Sequence, residues 1–149
     1  SGDVVYANEK LHGEHYKEYC QMIQYIGHEN ALKPGLTVKE NLLFWAKLKK
    51  TPELVPAAIK YFGLDNVQNM AVARLSAGMQ RRVALAKLVA CNADIWLLDE
   101  PYTHLDDEMK TRVSALITSR CDQGGVVVMT AHDKVSIEGC QELHIGDWQ

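Results

Sequence analysis

The sequence predicts an α/β fold built on a parallel sheet, and three observations carry that prediction. Three apolar, β-branched runs, Tyr19–Ile26, Ile95–Leu98 and Val126–Thr130, are separated by stretches of helical periodicity, the order that parallel crossovers require. Each run ends in polar groups at its carboxyl side: Gly27-His28-Glu29-Asn30, Asp99-Glu100 and Ala131-His132-Asp133. Between the first two runs, residues from about 30 to 74 read as helices alone. The expected layout is an α/β core of 1–29 and 75–149, with a helical subdomain of 30–74 inserted into it.

Composition bounds the rest. A chain of 149 residues with 47% hydrophobic and 23% charged residues is one soluble globular domain, or most of one. A formal net charge of -3 argues against a nucleic-acid binder that works by bulk electrostatics, though not against a local basic patch. The four cysteines, Cys20, Cys91, Cys121 and Cys140, form no C-x-x-C pair and read as small hydrophobes in a reducing compartment. No apolar run approaches the ~18 residues of a membrane span, so a partner would have to hold the chain at any membrane it serves.

The elements follow in order. Val4-Val5-Tyr6 reads as a short strand and Asn8-Glu9-Lys10 as a polar turn. After the Tyr19–Ile26 strand, Pro34-Gly35 blocks helix, and Thr37 with Glu40 forms a capping box that opens the next one. Leu42, Leu43, Trp45, Ala46 and Leu48 supply its apolar face, and Lys47, Lys49 and Lys50 read as its solvated end. A second helix covers about Glu53 to Phe62 and stops at Gly63, a left-handed cap. Leu64 to Arg74 connects onward with a further helical turn. Ser76 caps a helix that runs to about Ala90, with Val83, Leu85, Ala86, Leu88, Val89 and Ala90 inward and Arg81, Arg82 and Lys87 on the polar side. The strand Ile95–Leu98 ends at Asp99-Glu100, and Pro101 turns the chain. Leu105-Asp106 opens a helix to about Arg120, with Met109, Val113, Leu116 and Ile117 at helical spacing. Gly124-Gly125 ends it. Val126–Thr130 is continuous enough to predict a strand covered on both faces, followed by a short helix around Val135–Glu138 and a last strand near Glu142–Ile145.

Parallel strands would bring Glu29, Asp99, Glu100 and His132 to one sheet edge, where α/β proteins place ligands. Asp99 suits Mg²⁺, which takes oxygen ligands and keeps most of its waters. Glu100 beside it can polarise a water, and His132 can donate to a phosphate oxygen. Together they describe phosphoryl transfer to water. The Ser76-Ala77-Gly78 loop adds a helix N-terminus able to receive an anion. Taken alone, the loop reads rather as an ordinary capped helix, and His28-Glu29 rather as a solvated turn. No glycine is followed by lysine, so the phosphate-wrapping loop G-x-x-x-x-G-K-[ST] is not among these residues.

These motifs, in this order, resemble those of ATP-binding cassette (ABC) ATPases, which have a P-loop NTPase-like fold. Leu75-Ser76-Ala77-Gly78-Met79-Gln80-Arg81-Arg82 resembles their signature motif, Ile95–Glu100 their Walker B strand, Thr103-His104-Leu105-Asp106 their D-loop, and His132 their switch histidine. Ser1-Gly2-Asp3-Val4 and Leu36–Leu42 look like the segments flanking their Q-loop. The run Tyr25–Glu29, the LSAG signature and Gln80–Ala86 are similar to the ATP-binding subunits of cytochrome c maturation (haem export) systems.

The resemblance implies ATP and Mg²⁺ as ligands, with Asp99 and Glu29 toward the metal, Glu100 as general base and His132 at the γ-phosphate. It implies that Ser76, Ala77, Gly78 and Met79 meet the ATP of a second subunit in a head-to-tail homodimer, and that Asp106 couples the two sites. The helical insert would receive integral membrane subunits, which puts the protein on the cytoplasmic face of the inner membrane as a peripheral subunit. Three positions depart from the family pattern: Glu29 stands for the Q-loop glutamine, Ala77 for a glycine and Met79 for a glutamine. The missing phosphate loop implies a domain truncated before the Q-loop, inactive by itself. The alternatives are the ATPase of a different small exporter, or a non-catalytic remnant that acts as an interaction module.

Overall fold

The computed structural model describes residues 5–6, 9–10, 19–131, 137 and 139–142. Three parallel strands form its sheet: β3 (Ile23–Ile26), β4 (Ile95–Asp99) and β5 (Val126–Thr130), with β4 between the other two. Apart from them, β1 (Val5–Tyr6) and β2 (Glu9–Lys10) pair antiparallel in a short ribbon. Glu9 and Lys10, expected in a turn, are therefore ladder residues.

The strand expected over Tyr19–Ile26 is shorter. Residues 19–22 are helical and only Ile23–Ile26 is extended. The reason lies elsewhere in the chain. The Lys49 ammonium donates to the carbonyls of Cys20 (3.0 Å), Gln21 (2.7 Å) and Ile23 (2.8 Å), serving the orphan acceptors at the end of that turn. Lys49 is thus a cap for another element and not a solvated helix end.

Helix α1 (Val38–Leu48) starts at the expected capping box. Thr37 Oγ1 accepts the Glu40 amide at 3.2 Å, and Glu40 Oε2 accepts the Thr37 amide at 2.8 Å. Buried Asn41 stitches the preceding loop. Its Oδ1 accepts the Lys33 amide at 2.7 Å, and its Nδ2 is shared among the carbonyls of Lys33, Leu36 and Thr37. A 3₁₀ turn (Pro52–Leu54) leads into α2 (Val55–Tyr61), which ends at Gly63 with φ 62°, the left-handed cap expected there. Two more 3₁₀ turns, Asp65–Val67 and Val72–Arg74, complete the connection.

Helix α3 (Ala77–Cys91) is the centre of the packing. Val83, Ala84, Leu85, Ala86, Leu88 and Ala90 are all buried, so apolar contacts surround it: α1 and α2 on one side, the sheet on another. Two residues expected on its polar side are buried as well, Arg81 and Lys87. Helix α4 (Asp107–Asp122) buries Met109, Val113 and Ile117. Tyr61 and Arg112 tie α2 to α4 reciprocally: Tyr61 donates to the Arg112 carbonyl (2.8 Å), and Arg112 donates to the Tyr61 carbonyl (3.0 Å).

One face of the sheet (Ile26, Trp96, Leu98, Val127, Met129) joins this core. The opposite face carries Tyr25, Val126 and Val128 in the open, between 53% and 60% exposed. Among the described residues β5 is therefore covered on one face, not two. Three of the four cysteines are exposed, and Cys91 alone is buried. No helix among the described residues is long and apolar enough to cross a membrane. The helix expected at Val135–Glu138 and the strand near Glu142–Ile145 lie largely outside the described residues.

Candidate functional site

Strand register places the acids. Ile26 of β3 lies opposite Leu98, and Asp99 lies opposite Thr130. The Thr130 hydroxyl donates to Asp99 Oδ1 at 2.7 Å and accepts the Glu100 amide at 3.1 Å. One hydroxyl, acting as donor and acceptor at once, thus holds both acidic residues to the end of β5. Glu100 has φ 45°, a left-handed conformation that residues with a Cβ rarely adopt. The Thr103 hydroxyl donates to Glu100 Oε2 at 3.2 Å and fixes the side chain from the turn that follows.

Behind the acids lies Arg81. Its Nη2 donates to the carbonyls of Asp99 and Glu100, both at 2.8 Å. Its Nη1 donates to the Gly27 carbonyl at 2.8 Å and to Asn30 Oδ1 at 3.2 Å. Burial works against the charge of this guanidinium, and the nearby Asp99 and Glu100 carboxylates work for it. One turn and a half further along α3, Lys87 donates to the Asn30 carbonyl at 3.0 Å, with its ammonium 5.1 Å from the centre of the Trp45 ring. Burial pushes that ammonium down to about 8. Two buried cations therefore anchor the 27–30 loop, on which Glu29 itself is exposed.

The start of α3 builds a second cluster. Ser76 Oγ accepts the Met79 amide at 3.3 Å as the helix cap, Ala77 is exposed, and Met79 is half-buried against the core. Gly78 lies so close to the following turn that a Cβ there would stand 2.9 Å from the His104 carbonyl oxygen. Asp106 caps α4 by accepting the Met109 amide at 2.8 Å, and it pairs with Arg82 of α3. The amide bond and then the Arg82 charge hold its carboxyl below the usual range. The Ser76–Met79 loop and the 103–106 turn are thus braced within one chain.

The structure therefore brings Asp99 and Glu100 together with the 27–30 loop, and Ser76–Met79 together with Asp106. His132 lies outside the described residues. Among the described residues, no group of three or more His, Cys, Asp or Glu side chains is placed to hold a metal ion. Asp99 offers one hard oxygen donor beyond the bond to Thr130. That fits Mg²⁺ held by one protein carboxylate, with the other positions left to water and phosphate oxygens.

A model of the ABC transporter family matches residues 1–103. The chain belongs to the ABC transporter family. It is 42% identical over 132 residues to the cytochrome c biogenesis ATP-binding export protein CcmA of Wolbachia pipientis, covering 89% of this chain and 63% of that protein. It is 39% identical over 145 residues to the CcmA of Rickettsia felis, covering 97% of this chain and 72% of that one. Among solved structures, it is similar to the dimeric post-hydrolysis state of the ATP-binding cassette MJ0796 bound to ADP and Pi. The TM-score is 0.77 at 25% identity, over 89% of this chain and 63% of that one. The ATP-binding subunit of another ABC transporter shares the fold with a TM-score of 0.69 at 19% identity, over 78% of this chain and 51% of that one.

Thr130 and Asn30 of this ABC chain stand outside the quoted motifs, while Arg81 and Thr103 stand inside motifs that do not tell what their side chains hold. A signal existed for Thr130. It ends a strand whose parallel alignment with Ile95–Asp99 puts it opposite Asp99. Nothing local marks Arg81, because its partners, three backbone carbonyls and the Asn30 side chain, lie 18 to 54 residues away.

Proposed function

We propose that this chain is part of the ATP-binding, ATP-hydrolysing subunit of an ABC transporter that serves cytochrome c biogenesis, with haem export as its role. The observation that carries the reading is the acid pair at the end of β4. Asp99 and Glu100 stand on a strand end clamped from one side by Thr130 and from the other by Arg81. The Glu100 carboxylate, steadied by Thr103, would accept the proton of an attacking water, and Asp99 would hold Mg²⁺ through water. Mg²⁺, when bound, would neutralise charge on the β- and γ-phosphates. His132 would contact the γ-phosphate.

Ser76 and Gly78, at the exposed start of α3, would face the ATP of a second copy in a head-to-tail dimer, with Asp106 at the junction. The dimeric, ADP- and Pi-bound state of the similar cassette supports that arrangement. Phe44 and Leu48, exposed on α1, would meet integral membrane subunits, placing the protein at the cytoplasmic face of the inner membrane. Glu29, with its charge at the Q-loop position, would alter nucleotide affinity and coupling.

The test is Mg²⁺-dependent ATP hydrolysis by the complete gene product. The wild type should turn over, and Glu100→Gln should lose at least about 100-fold in kcat while still binding ATP, as expected on removing a general base. The 149 residues by themselves should show no hydrolysis, since they lack the phosphate loop. Turnover by this segment, or an unimpaired Glu100→Gln, would contradict the reading.

A further inference from the structure

We infer that Arg81 is the positioning residue of the hydrolytic site, acting through the backbone of Glu100 and of the 27–30 loop. The inference rests on the functional reading above. Glu100 leaves the strand in a left-handed conformation, which a residue with a Cβ rarely adopts unless its surroundings hold it there. That conformation turns two successive carbonyls, Asp99 and Glu100, toward a single donor, and Arg81 Nη2 donates to both at 2.8 Å. The other end of the fork takes Gly27 and Asn30. Two terminal nitrogens with two hydrogens each meet four acceptors, so this part of the guanidinium is saturated.

The geometry requires arginine. A lysine places three donors on one atom and cannot span the ends of β3 and β4 with a rigid plane. Arg81 is 3% exposed, so water cannot replace a lost donor without entering the core. The fork also sets the distance between the loop that carries Glu29 and the turn that carries Glu100. The four bonds of Arg81 go to the carbonyls of Gly27, Asp99 and Glu100 and to the Asn30 side chain. Arg81 fixes the backbone from which each carboxylate projects. It lies on the same helix as Ser76 and Gly78, so any shift of the α3 start is felt at both strand ends.

The test uses the complete gene product carrying Arg81→Lys, read by kinetics and by amide hydrogen exchange. kcat should fall by about tenfold or more, the scale of a sub-ångström misplacement of a catalytic group, with KM for ATP within twofold. Exchange should rise in 27–30 and 99–103 and stay unchanged in 83–91. A kcat within twofold of wild type, or exchange unchanged at both strand ends, overturns the inference. If Arg81→Lys also loses protection in 83–91, Asn30→Ala decides. It deletes one acceptor and leaves the guanidinium in place. A kcat lower by about two- to fivefold at unchanged KM supports positioning, and an unchanged kcat overturns it. A wild type without turnover would sink the functional reading instead, and exchange alone would then decide whether Arg81 holds the two strand ends.

Discussion

Lys87→Met should change the pH dependence of stability more than stability itself. The Lys87 ammonium is 2% exposed, donates to the Asn30 carbonyl and lies against Trp45. Burial brings it down to about 8, whereas an unfolded lysine titrates near 10.4. Between those values the unfolded chain holds a proton that the folded chain has released, so stability rises with pH across the window. Below 8 both states are protonated and the full cost of burying the charge stands. Integrating from pH 7.5 to 9 gives a gain of about 1 kcal/mol from this group. The buried Cys91 thiol, pushed up to about 11, works the other way from about pH 8.5, where an unfolded thiol titrates, and offsets part of this gain in wild type and variant alike. Methionine keeps the stem's packing, removes the charge cost and loses the bond to Asn30. These changes nearly cancel at pH 7, while the rise with pH disappears. Urea unfolding of the complete gene product at pH 7.5, 8.25 and 9 measures the effect. Parallel pH profiles for wild type and variant would refute the reasoning.

Two further substitutions probe the same architecture. Gly78→Ala gains about 1 kcal/mol of helix propensity but forces a Cβ to 2.9 Å from the His104 carbonyl, a clash costing roughly 1–3 kcal/mol. Urea unfolding should find it neutral to destabilised, and a net gain near 1 kcal/mol would show that the turn does not press on the helix. Asn41→Ala leaves the Lys33 amide without its acceptor, while the carbonyls of Lys33, Leu36 and Thr37 each lose one donor and keep a backbone one; it should cost about 1–3 kcal/mol, with faster amide exchange in 33–37. A loss below about 0.5 kcal/mol would mean that water serves that loop equally well.

Much of this was readable from local chemistry. The Thr37 box, the Ser76 and Asp106 caps and the Gly63 stop each depend on residues within four positions, and the structure has them all. The place of the acid pair was equally plain, because Asp99 and Glu100 directly follow the apolar run Ile95–Leu98. Burial of charge was not readable. Helical periodicity sends Arg81 and Lys87 outward on the assumption that charges seek water, yet both have stems long enough to reach main-chain carbonyls of distant segments. An apolar run cannot by itself separate strand from helix, so Tyr19–Ile26 read as one element although Lys49 stabilises a helical turn in its first half. The exposure of Val126 and Val128 was hidden for a similar reason: composition reports that a strand is apolar, not what lies above it.

Six of the long-range polar ties share one trait. Lys49, Lys87, Arg81 through Nη2, Tyr61, Arg112 and Thr51 all reach main-chain oxygens far away in the chain. Such a contact is written in only one of its two residues. Replacing Cys20, Gln21 or Ile23 leaves the oxygen that Lys49 needs in place, while replacing Lys49 removes three bonds at once. Pairwise covariation among relatives would therefore miss these ties, since the acceptor side can drift freely. The donors would show as solitary invariant positions with no correlated partner. In this chain a lone unvarying lysine or arginine inside an apolar helix would mark where distant strands are joined.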